Sequence, residues 1–118
     1  MITHETISVD TSDAEVIRVN YVQIDNGIDM GGKLVFDRSN VAYVAQQVEA
    51  ACESNYVATE AQQGKDHLRI YQSGSDQQSI VNVLCKRDPA GPHGGLSGLM
   101  MTIEYAKKLV ALLRAVKN

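Results

Sequence analysis

"HLRIYQSGSDQQSIVNVLCKR", residues 67–87, decides how this chain folds. It holds two alternating runs on either side of a turn. In the first, Leu68 and Ile70 point one way while His67, Arg69 and Tyr71 point the other. The second, QSIVNVLCKR at 78–87, is the strongest strand pattern in the sequence, and "SGSD" at 73–76 supplies the turn. A period of two places successive side chains on opposite faces of a sheet, so the pair reads as an antiparallel hairpin.

Working outward, EVIRVNYVQI at 15–24 is a strand with Ile17, Val19 and Tyr21 on one face and Arg18 and Asn20 on the other. Val22 and Ile24 interrupt the polar face, which predicts burial on both sides there. Asn26-Gly27 is a hairpin signal, because both residues tolerate positive φ. KLVFD at 33–37 is a short strand. Val41, Val44, Ala45, Val48, Ala51 and Cys52 then recur at helical spacing, predicting a helix to Glu53 capped by Asp37 or Ser39 and stopped by Asn55. NYVATEA at 55–61 and GLMM at 98–101 are further strands. Thr102 caps a last helix, whose stripe is Ile103, Ala106, Leu109, Val110, Leu113 and Val116.

These elements predict one α+β domain over residues 1–118. The expected architecture is a two-layer sandwich: a mainly antiparallel sheet of 5–6 strands with two helices on one face, in the order β-β-α-β-β-β-β-α. The polar residues 1–12 read as a frayed tail or as a short strand at Thr6–Val9. MGGKLVFDRSNVAYVAQQVEAA and HGGLSGLMMTIEYAKKLVALLRA share one grammar: a Gly-Gly pair, a short strand, a cap and an amphipathic helix. That suggests a degenerate repeat over 15–53 and 67–117.

Composition narrows the function. With 44% hydrophobic and 21% charged residues, a chain of 118 can bury a core without disulfides or metals. It has no tryptophan and one phenylalanine, which weighs against an aromatic platform for single-stranded nucleic acid. No apolar run is long enough to span a bilayer, and the chain does not open with a basic segment followed by an apolar core. A cytoplasmic location follows as the expectation, with Cys52 and Cys85 as buried thiols and a Cys52–Cys85 disulfide as the alternative. The net charge of −3 divides unevenly: residues 1–62 hold ten acids against three bases, and residues 63–118 hold eight bases against four acids.

"RDPAGPHGGLSGLMM", residues 87–101, holds both prolines and four of the nine glycines. It lacks the G-x-S-x-G elbow of a serine hydrolase, the G-K-[ST] ending of a phosphate loop and the G-x-G-x-x-G of a dinucleotide fold. The three histidines have no metal-ligand spacing. Prolines that stop a strand and glycines that open a wide crossing account for most of the run. Arg87, Asp88, His93, Gly94 and Gly95 are its candidate site residues, since a rigid scaffold displays binding groups on such loops.

No catalytic residues, cofactor or metal are expected. The leading expectation is a non-enzymatic interaction protein: an inhibitor, an immunity-type protein or an adaptor. It would bind another protein, a basic one if the acidic half is the contact, through Asp25, Asp29 and Asp37, and would itself be a homodimer. The alternative is a small-molecule binding module or minor enzyme with its pocket at the 87–98 loop. Nucleic-acid binding through Lys65, Arg69, Lys86, Arg87, Lys107 and Lys108 ranks third, because the net charge opposes it.

Overall fold

The hairpin at 67–87 forms and stands in one half of an eight-stranded antiparallel sheet. The computed structural model describes residues 1–53, 59–75 and 78–116. The first half is β1 (Ile2–Asp10), β2 (Val16–Asp25), the two-residue β3 (Ile28–Asp29) and β4 (Gly32–Asp37). A single 3-10 turn, Arg38–Asn40, leads into α1 (Val41–Ala51). The second half is β5 (Thr59–Gln63), β6 (Asp66–Ser75), β7 (Gln78–Arg87), β8 (Gly95–Thr102) and α2 (Ile103–Arg114). The sheet order is β1-β2-β4-β8-β7-β6-β5, with β3 paired to β2.

The class and element order follow the expectation, but the strands number eight rather than 5–6. One addition is β1, a full strand where a tail or a short Thr6–Val9 strand was expected. Its alternation is muted because only Ile7 and Val9 pack against the core. The other addition is β3, the far side of a turn in which Asn26 and Gly27 take φ of 52° and 81°. Of the expected 55–61 strand, the part at 54–58 and the Asn55 stop lie outside the described residues; the strand runs Thr59–Gln63.

Both helices cover one face. Ile17, Val19, Leu34, Phe36, Leu68, Ile70, Val81 and Val83 point to it and join the buried α1 and α2 stripes in one cluster. Among the described residues the opposite face has no layer over it, so Val22 and Ile24 are only half-buried rather than buried on both sides. Cys85 is buried and Cys52 half-buried, both as free thiols.

Read outward from its centre, the sheet is the same both ways: β4-β2-β1 and β8-β7-β6. Ile17 faces Phe36 as Val81 faces Met101, and Val9 and Leu34 flank Val19 as Ile70 and Leu99 flank Val83. Lys33 and Gly98 pair with each other at the central seam. The resemblance between the halves thus includes β1 and β6. The helices are offset by three fewer residues than β4 and β8, which precede them, because the 3-10 turn has no counterpart before α2.

Caps follow local chemistry. The Asp37 carboxylate accepts the Ser39 N–H at 3.0 Å and caps the 3-10 turn, while α1 itself has no side-chain cap. Thr102 Oγ1 accepts the Tyr105 N–H at 3.4 Å. Thr102→Ala should cost about 0.5–1 kcal/mol, the low end for a cap because the bond is long; urea unfolding measures it.

Candidate functional site

The 88–94 loop joins β7 to its immediate neighbour β8, with Arg87 facing Gly95 across the ladder. It is a wide hairpin loop and not a crossing between distant strands. Two features demand glycine. A Cβ on Gly94 would lie 2.0 Å from the Asp88 carbonyl oxygen, and Gly95 has φ of 108°.

The loop stands at one end of the sheet over a polar frame. Arg87 pairs with the Asp66 carboxylate, whose other oxygen accepts the Asn40 amide and the Asp37 N–H, each at 2.7 Å. Asp66 is wholly buried, and Arg87 is 9% exposed at its side chain. This network knots the ends of β4 and β7 to the starts of α1 and β6. Asp88 spends a carboxylate oxygen on the Ala90 N–H. His93 Nδ1 lies 3.2 Å from Arg18 Nη2, so it accepts and the ring proton sits on Nε2, facing Asp13 at 3.5 Å and Glu15 at 3.7 Å.

Beneath the loop is a cavity of about 280 Å³ lined by Glu15, Lys65, Arg87, Asp88, Pro92 and His93. The loop candidates Arg87, Asp88, His93 and Gly94 therefore do converge, while Gly95 begins β8. A shallower hollow of about 510 Å³ adjoins it across Glu15, Lys65 and Arg87. The Cys85 thiol beside Asp66 is pushed up to about 12 by burial and by that carboxylate, so it stays protonated at neutral pH. Among the described residues no three His, Cys, Asp or Glu side chains group to hold a metal.

The acidic candidates do not gather. Asp25 pairs with the N-terminal ammonium at 2.7 Å, and Asp29 accepts the Gly31 N–H at 2.9 Å, both beside the β2–β3 turn. Asp37 lies at the other end of β4 and serves Ser39. Hydrogen bonds to Ser39 lower its carboxyl despite an opposing contribution from burial, helped by Arg87 and Lys65.

A contiguous surface lies instead on the uncovered sheet face. On β8, Leu96 is 74% and Met100 60% exposed, flanking Gly98. With Leu84 and Met30 they rim a depression of about 320 Å³ floored by Gly31 and Gly98. One row across the strands runs Lys33, Gly98, Leu84, Arg69, which sets the backbones of the two cationic residues roughly 14 Å apart at three strand spacings. Lys86 stands one row over, opposite His67, and Arg69 lies 4.8 Å over the Tyr71 ring. Arg69 thus shares this face with Lys86, whereas Arg87 points to the other side and is ion-paired. Among the described residues, the acids of this face on its strands lie at its margins: Asp10 on β1, Asp29 on β3, Asp37 at the end of β4 and Glu60 on β5. Glu60 is lowered by its bond to His67.

Sequence reasoning found the loop but missed this face and the buried Asp66. "GLSGLMM" carries apolar residues at both parities, so alternation does not reveal which of Leu96, Leu99, Met100 and Met101 face solvent. A scan of protein-family models and a search of curated protein sequences find no match to this chain. No helix is long and apolar enough to cross a membrane among the described residues.

Proposed function

We propose that this chain is a non-enzymatic protein-binding module of the inhibitor, immunity-type or adaptor kind, and that it engages its partner with the uncovered sheet face. One observation carries the reading: exposed Leu96 and Met100 stand on either side of a glycine-floored depression at the centre of that face. A cluster of large exposed apolar side chains around a concavity marks an interaction site. Methionine adds adaptable packing. The surrounding Lys33, Arg69 and Lys86 favour a partner segment that is acidic beside an apolar anchor. Nucleic acid is less favoured, because Tyr71 is the one aromatic ring on this face among the described residues.

The test is co-purification from source cells. The Leu96→Glu/Met100→Glu variant should recover its partner protein at least tenfold less than the parent chain, with an unchanged circular dichroism spectrum and melting temperature. Undiminished recovery removes this face from the reading.

The cavity under the 88–94 loop favours a second reading, a small-ligand pocket around Arg87 and His93. A ligand there appears as a small, constant mass increment on the native chain and is lost in His93→Ala.

A further inference from the structure

We propose that the chain forms a symmetric homodimer in which β1 pairs antiparallel with β1 of a second copy, in register about Ile7. β1 borders the sheet, and among the described residues only β2 pairs with it. A border strand presents unused backbone donors and acceptors, which proteins usually blunt with lysine, proline or short length. β1 is nine residues long and contains neither lysine nor proline.

Two hydrogen bonds tell which groups face outward. The Met30 N–H donates to the Gln23 carbonyl at 2.7 Å, so Gln23 turns its polar backbone away from β1. Glu5 lies opposite Gln23. Facing residues of an antiparallel pair turn both toward each other or both away, and this alternates along the strand. Glu5, Ile7 and Val9 therefore aim their N–H and C=O groups out of the sheet. The Tyr105 hydroxyl, donating to the Glu5 carbonyl at 3.0 Å, agrees with that direction and takes one of that oxygen's two lone pairs, leaving the other for a second strand.

The strand is complementary to itself. Its ladder slips between Ile2 and His4, leaving His4–Asp10 as the regular run, with Ile7 at the middle. A two-fold there sets Ile7 against Ile7, Glu5 against Val9, Thr6 against Ser8 and His4 against Asp10. Every outward residue meets an outward residue, and no like charges face each other. Asp10 gives Oδ1 to Ser12 at 2.6 and 2.9 Å, which leaves Oδ2 for His4 of the second copy. Centring the two-fold on Thr6 loses that contact, and centring it on Glu5 sets two carboxylates face to face.

Apolar surface adjoins the same border. Val9, Leu112 and Val116 line a shallow cavity of about 380 Å³, and Leu112 is 38% exposed. Tyr105 reaches the Glu5 end of β1, and Leu112 the Val9 end. Pairing Glu5 with Val9 of the second copy therefore brings Tyr105 of one α2 alongside Leu112 of the other. The two helices lie on the same side of one continuous sheet.

Sedimentation velocity and native mass spectrometry of the purified chain test this. The parent should appear at twice the 12.9 kDa chain mass. Ile7→Pro removes an outward donor that the β2 ladder does not use and should weaken the dimer tenfold or more. His4→Asp sets carboxylate against carboxylate and should also weaken it, while His4→Asp/Asp10→His restores it; circular dichroism verifies the fold of each. A monomeric parent overturns the proposal, and so does a dimer that survives both Ile7→Pro and His4→Asp. A dimer abolished instead by Leu96→Glu/Met100→Glu also overturns it and assigns self-association to the uncovered face.

Discussion

Asp66→Ala should destabilise the fold by about 3–5 kcal/mol, the cost of breaking a buried ion pair from one side. The carboxylate is wholly buried and satisfies three groups at once: the Arg87 guanidinium, the Asn40 amide and the Asp37 backbone N–H. Its removal strands a nearly buried cation and two donors, and each orphaned group adds its own desolvation penalty. Asp66→Asn should cost less, because one carbonyl oxygen still accepts. Asp66→Ala/Arg87→Leu should recover part of the loss by removing the uncompensated charge. Urea unfolding of the four proteins measures this. A loss under ~1 kcal/mol for Asp66→Ala would mean that water replaces the network and that the end of the sheet is not knotted there.

Phe36→Ala should cost about 3–5 kcal/mol, and Met101→Ala about 2–5 kcal/mol. The two residues occupy matching places in the half-sheets, Phe36 opposite Ile17 and Met101 opposite Val81. Both are fully buried beneath the helices, so truncation leaves a cavity as well as lost contacts. Losses of this size are a large share of the 5–15 kcal/mol that holds an ordinary domain together. Thermal melts should show drops of roughly 12–25 °C for Phe36→Ala, at about 4–5 °C per kcal/mol for a chain of this length. A much smaller drop would show that the core collapses around the gap.

Where one face is buried and the other wet, the sequence was legible. Leu68 and Ile70, then Val81, Val83 and Cys85, alternate because helices cover one side and solvent the other. The helix stripes were equally plain, since Val41, Val44, Val48 and Ala51 meet the sheet and Ala106, Leu109, Val110 and Leu113 do likewise. β1 was obscured because a border strand buries little, leaving Ile7 and Val9 as its only core contacts. The loop residues were found, but Pro89 and Gly91 suit a wide hairpin as well as a crossing, and only strand pairing decides between them. Asp66 ends QQGKD at 62–66, a run whose Gly64 and polar neighbours read from sequence as an ordinary turn. Its partner Arg87 is 21 positions away, and the pairing follows from β6 and β7 lying side by side. The uncovered face was illegible for a related reason. Lys33, Arg69 and Lys86 come from three strands, and sheet order alone brings them together.

The claim that the uncovered face binds a protein is tested most directly by methionine methyl NMR. The chain has four methionines, of which Met30 and Met100 rim the depression and Met101 is buried on the opposite face. With carbon-13 methyl labels, titration of the co-purified partner should shift or broaden Met30 and Met100 while leaving Met101 in place. Perturbation of Met1 alone, or none at all at saturating partner, would contradict the account and move the contact away from this face.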